Sequence, residues 1–497
     1  MSETQNAIQT VFDQAQAGQL WAGHWIDGHT SSGLKLENRT PIDNSVIGYI
    51  ADGEAADVDA AVTVARATFE NGEWSDLSPA ERKAVMLRWA DLMQENIEEL
   101  AALDCIDAGK PITECLNTDL PATIETFYWY AEAVDKVFGK VAPTGKDALG
   151  LVIEEAIGVV GVVLPWNFPA QMFAWKVAPA LVTGNSVIVK PAELTSLSAY
   201  RLVELAYEAG VPKGALSLVC GLGEKVGEAL GRHADVDMVS FTGSTEVGRY
   251  FLKYSAESNL KEIVLELGGK SPQVVFADAD LDAAVPHILN AAFWNMSENC
   301  SCGSRLIVQA AVKEALLEKL KTGLAAWKLG DPRDESVVIG PMVEEAHFNK
   351  VKSFIETTLQ EGGVVVHGGK IHSDVGSGWY VEPTIFDNVT SDMILFQQEV
   401  FGPILAVTTF ETEQEAIALA NKTAYGLAAS MYTESIKTAH RVSRAIRAGT
   451  VSINGFSEGD ITTPFGGFKQ SGFGGRDKGL EALQQYVQTK TIWYVQD

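Results

Sequence analysis

The stretch Ile157-Gly-Val-Val-Gly-Val-Val-Leu164-Pro165-Trp166-Asn167-Phe168-Pro169 decides how the rest of the chain is read. Its first half is a continuous apolar run, and the run stops at a turn bounded by prolines. Such a run marks a strand buried on both faces. It is far too short to cross a bilayer. Four similar runs follow at 186–190, 216–220, 236–241 and 263–267. Amphipathic helical stretches begin between them, near Gln171, Ser198, Glu224 and Ser244. This alternation predicts an α/β fold with a parallel, doubly wound sheet covered on both faces. Ligands on such sheets bind beyond the carboxyl ends of the strands.

Those ends carry distinctive residues. They read Leu164-Pro165-Trp166-Asn167, Lys190-Pro-Ala-Glu193, Gly221-Leu-Gly223-Glu-Lys-Val-Gly227, Phe241-Thr-Gly243-Ser244-Thr245-Glu-Val247-Gly248 and Glu266-Leu267-Gly268-Gly269-Lys270. Gly243-Ser244-Thr245 opens a helix, where free N–H groups and the helix dipole suit a phosphate. An acid just after a strand, as Glu193 is, suits ribose hydroxyls. It reads equally as a solvated loop carboxylate. The Gly221–Gly227 spacing is not the usual dinucleotide fingerprint and carries little weight alone.

Downstream lies Phe293-Trp294-Asn-Met-Ser-Glu-Asn-Cys300-Ser-Cys302-Gly-Ser-Arg305. A helical pattern runs into it from about Asp280, and Arg305-Leu-Ile-Val-Gln reads as a buried strand. Cys300 therefore falls where a helix gives way to a loop of small residues. That suits a reachable nucleophile with backbone N–H groups beside it. Cys300 and Cys302 also read as small core residues, the usual fate of a free cysteine.

Upstream, residues 20–52 read as short strands and turns, and a helix follows from Asp57. Ser78-Pro-Ala-Glu81 is a helix start, with Ser as cap and Pro in the first turn. Two or three helices continue to about Val137, and 141–155 alternates like strands outside the main fold. The 497 residues suffice for two or three domains. A net charge of −27 repels phosphate backbones and anionic lipid, so neither nucleic acid nor a membrane is expected as partner. The five cysteines lack a disulfide pattern, which implies a reducing compartment. Cys105 and Cys115 read as packing residues, and no metal site is expected from the lone Cys-x-Cys. Met1-Ser-Glu-Thr-Gln-Asn6 has no signal-peptide character, so a cytoplasmic location is expected.

Taken in order, Pro165-Trp-Asn167-Phe-Pro169, Lys190-Pro-Ala-Glu193, Phe241-Thr-Gly243-Ser244-Thr245, Leu265-Glu266-Leu-Gly268-Gly269-Lys270, the Cys300 loop, Glu399-Val-Phe401-Gly402-Pro403 and Pro464-Phe465-Gly466-Gly467 cover most of the chain. Together they resemble the NAD(P)-dependent aldehyde dehydrogenase superfamily. The resemblance implies a Rossmann-type cofactor domain (1–139 and 157–268), an α/β catalytic domain (269–465) and a β oligomerisation arm (140–156 and 483–497). It implies a homodimer or homotetramer. It makes Cys300 the nucleophile, Asn167 with the Cys300 N–H the oxyanion donors, and Glu266 the base that activates water against a thioester. Leu164, Pro165, Trp166, Lys190, Glu193, Gly223, Gly227, Phe241, Gly243, Ser244, Val247, Leu267, Gly268, Glu399 and Phe401 would hold the cofactor. A carboxylate at Glu193 disfavours a 2′-phosphate, so NAD is expected over NADP, with some NADP use possible.

Two departures stand out. Members often carry Asn-Gln-Gly-Gln-x-Cys where this chain reads Asn295-Met-Ser297-Glu298-Asn299-Cys300, and His347 stands where many have Gln. Glu298 would raise the Cys300 pKa if it pointed inward; it is expected to face away. Phe168, Met172, Trp175, Trp294 and Phe465 resemble an apolar substrate tunnel and read equally as core. The loop Glu458-Gly459-Asp460 looks most like aminoaldehyde dehydrogenases, in particular the γ-glutamyl-γ-aminobutyraldehyde type. Asp460 is expected to hold a substrate amine at the tunnel mouth, with a turn-capping role as its other reading. A broad aliphatic or aromatic aldehyde dehydrogenase and a CoA-acylating relative are the competing functions; Glu266 argues against the latter.

Overall fold

The computed structural model describes residues 3–31, 33–372, 375 and 377–495. Met1 and Ser2 of the expected amino-terminal segment lie outside this range, as do Gln496 and Asp497 of the expected arm.

The apolar run at 157–164 forms strand Val159–Val163, buried at every position. It sits in an eight-stranded sheet. On one side of it lie Ser186–Lys190 and then Leu216–Leu218, each parallel to the strand before it. On the other side lie Met238–Gly243 and Glu262–Leu267, also parallel. The chain thus winds outward twice in one direction, then returns to wind the other way. The reversal falls between Val159–Val163 and Met238–Gly243, which is where such sheets bind ligands. Short antiparallel strands close both edges. His24–Ile26 and His29–Ser31 do so at one, and Gly472–Phe473 at the other.

Helix starts follow local chemistry. Ser78 caps Pro79–Glu95 in a capping box with Glu81. Ser244 caps Thr245–Glu257 by accepting from the Val247 N–H. The helix expected from Glu224 is different: Gly223–Gly227 is one wide π turn, and only then does Glu228–Arg232 continue as α-helix.

A second sheet has seven strands. Its centre is Pro272–Val275, Arg305–Gln309 and Ile404–Phe410, all parallel. Arg305–Gln309 is the buried strand expected after the cysteine loop. Helix Leu281–Phe293, capped by Asp280, leads into that loop from the other side. The site therefore lies between the ends of two sheets, each rigid. Cys105 and Cys115 are fully buried, as expected of packing residues.

A third, three-stranded sheet stands apart. Val487–Val495 pairs antiparallel with Ala148–Ala156 over its whole length, and Lys140–Ala142 joins the far edge. Among the described residues no helix is long and apolar enough to cross a membrane.

Candidate active site

Helix Leu281–Phe293 ends abruptly. Asn295, Met296 and Ser297 all take positive φ, at 51°, 54° and 61°. Side chains with a Cβ pay roughly 1–2 kcal/mol each for that conformation. Hydrogen bonds offset the cost. The Asn295 amide donates to the carbonyls of Glu298 (3.0 Å) and Asn167 (3.2 Å), and the Ser297 hydroxyl donates to the Ala292 carbonyl. The left-handed turn reverses the chain and presents Cys300, half-buried, to a cavity of about 240 Å³. Cys302 points the other way, buried, with its thiol on the Ala292 carbonyl at 3.4 Å.

Asn167, Glu266 and Cys300 line this same cavity. The Asn167 amide donates one hydrogen to the Glu298 carbonyl at 2.9 Å, which fixes its plane. An amide has two such hydrogens, so one is left over for another acceptor. Lys110 holds the Asn167 carbonyl from behind at 3.0 Å. Glu266 sits near the end of its strand, buried, and its Oε1 has no hydrogen-bond partner. Burial raises its pKa well above the ordinary carboxyl range, and Asp477 adds to this. Lys176, ion-paired with Asp477 at 3.0 Å, pulls the other way. The Cys300 thiol is also pushed well above its ordinary value, first by burial and then by the charges of Glu458, Glu266 and Glu399. At rest the nucleophile is a thiol beside a carboxyl that burial has made more basic.

The residues read as cofactor-binding fall into two adjoining cavities. Leu164, Pro165, Trp166, Lys190, Glu193, Gly223, Gly227, Phe241, Gly243, Ser244 and Val247 line one of about 460 Å³. Leu267, Gly268, Glu399 and Phe401 line the cavity that holds Cys300. Pro165, Trp166, Gly243 and Ser244 belong to both walls and join them. Lys190 and Glu193 are ion-paired at 2.6 Å at the outer end. Gly268 lets the Glu399 carboxylate approach: a Cβ there would meet Glu399 Oε2 at 2.1 Å. Glu399 in turn accepts from the Gly269 N–H at 2.9 Å.

The expected tunnel needs correction. Phe168, Met172 and Trp175 do line the cavity. Trp294 and Phe465 stand behind that wall, packed on Phe168 and Trp175 at ring separations of 5.2 and 5.3 Å. Trp294 also donates its N–H to Glu114 at 2.9 Å. Asp460 is exposed and does not reach the cavity. Its carboxylate accepts from the Thr462 N–H at 2.9 Å and from the Thr462 hydroxyl, so it caps a turn. Gly459, at φ +72°, belongs to that turn. The acid on the cavity wall is Glu458, whose carboxylate accepts from the Ser301 hydroxyl beside the nucleophile.

Sequence reading also missed Thr242, Asn299 and Lys350, which line the cavity. Lys350 follows His347 by three positions on helix Glu345–Gln360, hence on the same face, and that spacing was available as a signal. Glu298 faces away from Cys300, as expected, yet it is buried: its Oε1 accepts from the Val343 N–H at 3.1 Å.

A reachable thiol, a desolvated carboxyl and an amide donor share a cavity at the switch point of a doubly wound sheet. The profile of the aldehyde dehydrogenase family matches residues 4–492, and the chain belongs to that family. It is 52% identical to the aminoacetaldehyde dehydrogenase of Pseudomonas aeruginosa, over 94% of this chain and 95% of that protein. Two solved structures superpose closely. Indole-3-acetaldehyde dehydrogenase in complex with NAD+ gives a TM-score of 0.96 at 44% identity, covering 98% of this chain and 99% of that one. The γ-glutamyl-γ-aminobutyraldehyde dehydrogenase of Burkholderia cenocepacia gives 0.95 at 44% identity, covering 99% and 100%. The protein is an oxidoreductase of this family.

Proposed function

We propose that the protein oxidises a short aminoaldehyde to the amino acid with NAD, through a thioester on Cys300. The observation that carries the substrate class is Glu458. The Glu458 carboxylate on the cavity wall, bonded to the Ser301 hydroxyl next to the nucleophile and sharing the cavity with Phe168, Met172 and Trp175, is complementary to an ammonium group a few bonds from the reacting carbon. The 52% identity to an aminoacetaldehyde dehydrogenase supports this reading.

Glu266 takes the thiol proton, and Cys300 Sγ adds to the aldehyde carbon. The free hydrogen of the Asn167 amide and the Cys300 N–H receive the oxyanion. Loss of one such donor typically costs about 3–4 kcal/mol of transition-state stabilisation. NAD held in the joined cavities would supply the hydride acceptor that turns the adduct into a thioester. Once Glu266 has passed its first proton to solvent, the carboxylate removes a proton from water; the hydroxide adds to the thioester, and the sulfur leaves and is reprotonated by Glu266. Its desolvation makes it a stronger base than a surface glutamate. A cationic substrate helps at the start: its ammonium offsets the Glu458 charge, which is the largest charge effect raising the Cys300 thiol.

The chain suits a dinucleotide. The N-terminus of helix Thr245–Glu257 faces the joined cavities beside Gly243 and Ser244. The Thr242 hydroxyl at that wall is buried without a partner. Glu193, at the outer end, disfavours a 2′-phosphate and so NADP. The units that do this work are 1–139 with 157–268 for the cofactor, 269–465 for catalysis, and 140–156 with 483–497 for self-association.

An initial-rate screen tests the proposal. Aminoacetaldehyde and 3-aminopropanal should give a higher kcat/KM than propanal, benzaldehyde or γ-glutamyl-γ-aminobutyraldehyde, and NAD should outperform NADP. Higher kcat/KM on the neutral aldehydes would overturn the substrate class.

A further inference from the structure

Two of the side chains that depart from the family pattern, Glu298 and His347, meet in the fold. Glu298 Oε1 lies 3.5 Å from His347 Nε2, and both residues are buried. The Val343 N–H fixes the carboxyl. His347 Nε2 is also 2.6 Å from the Phe401 carbonyl. A carbonyl oxygen only accepts, so Nε2 carries the hydrogen. Burial and the charge of Lys350 hold the imidazole pKa down at about 4, so this tautomer stays neutral across the working range. Burial pushes the Glu298 carboxyl well above its ordinary range, so it brings little charge to the pair.

Phe401 is the unusual residue in this group. Its φ is +63°, a left-handed conformation that a bulky aromatic residue adopts only when its surroundings hold it there. Its ring stands edge-on to Trp166 at 5.3 Å, and the His347 ring lies 5.3 Å from the same tryptophan. All three line the cavity where the cofactor domain meets the nucleophile. Glu399, two residues earlier on the same loop, is tied separately to the Gly269 N–H. The Phe401 carbonyl has the imidazole as its tie.

We propose that His347 is a positioning residue. Its Nε2–H holds the Phe401 carbonyl, keeps Phe401 left-handed, and so stands the ring on the cofactor-side wall against Trp166. The proposal rests on reading these joined cavities as the dinucleotide site.

The test is a fluorescence titration with NADH, without aldehyde, on the full-length protein. His347→Leu keeps the bulk and removes the donor; His347→Gln restores a neutral N–H donor. The Leu variant should bind NADH about threefold to tenfold more weakly, the range expected from one lost hydrogen bond. The Gln variant should lie within about twofold of wild type. The KM for the aldehyde should barely move in either. A crystal structure of the Leu variant should show Phe401 out of the left-handed region. If the Leu variant does not fold, His347→Asn, whose shorter amide does not reach the carbonyl, takes its place with the same expected loss. Wild-type affinity in the Leu variant overturns the proposal. So does an equal loss in Leu and Gln, which would assign the effect to the imidazole ring itself. Failure of the wild type to bind NADH would instead sink the dinucleotide reading, and this proposal with it.

Discussion

The charge of Glu458 acts on the Cys300 thiol, and that makes it testable without substrate. Its charge raises the Cys300 thiol, so removing the charge lowers the thiol pKa and exposes more thiolate at a given pH. Glu458→Gln should therefore react faster with iodoacetamide in the absence of substrate. Slower alkylation would mean that the charge does not face the sulfur. The two cysteines separate as cleanly. Cys300→Ala should abolish oxidation and keep NADH binding, whereas Cys302→Ala should keep most activity because its thiol points into the core. Loss of activity in the second variant alone would reverse the assignment. Glu266→Gln keeps shape and loses basicity. If hydrolysis then limits turnover, stopped-flow traces should show a burst of NADH followed by slow release. An unchanged steady-state rate would remove Glu266 from that step.

The element that decides the site is the turn at Asn295–Ser297. Three consecutive left-handed residues are held by hydrogen bonds to Ala292, Glu298 and Asn167. Replacing Ser297 with Ala loses its hydroxyl bond and keeps the strain. Replacing it with Gly loses the same bond and relieves the strain. The Gly variant should be more stable than the Ala variant by about 1 kcal/mol, read from urea unfolding. Equal stabilities would show that the turn stores no strain at this position. This turn also marks how far the sequence could be read. Strand ends such as Leu164–Asn167 and Gly243–Ser244 were legible because buried parallel strands are continuous apolar runs, and their ends follow directly. The choice between Glu458 and Asp460 was not legible. It depends on a turn that Thr462 and Gly459 form, which aims one acid inward and the other at solvent. Trp294 and Phe465 kept two readings, tunnel and core, for a related reason. A wall residue and the residue behind it are both apolar, and only the fold separates them.

At the scale of the molecule, the third sheet has two open edges among the described residues, and the longer one is Val487–Val495. The outer side of Val487–Val495 has no neighbouring strand among the described residues. Its exposed Trp493 and Tyr494 lie on the same sheet as exposed Val141. An apolar open edge of that length needs cover. A second copy of the chain is the expected cover, giving a dimer or a dimer of dimers. Sedimentation should find no monomer at micromolar concentration, and Trp493→Arg with Val141→Arg should shift the protein toward monomer. A wild-type monomer would contradict the assembly.

The chain is an aldehyde dehydrogenase by family, and the proposed preference for small cationic aldehydes rests on Glu458 at the nucleophile's cavity. The most direct measurement is kcat/KM for aminoacetaldehyde and for propanal, a neutral aldehyde of similar size, in wild type, Glu458→Gln and Asp460→Asn. A charge-assisted hydrogen bond contributes roughly 1.5–3 kcal/mol, so Glu458→Gln should lower the value for aminoacetaldehyde by about tenfold to a hundredfold. Propanal should change little, and Asp460→Asn should leave both substrates near wild type. An equal loss on both substrates in Glu458→Gln, or a loss confined to aminoacetaldehyde in Asp460→Asn, would contradict the account.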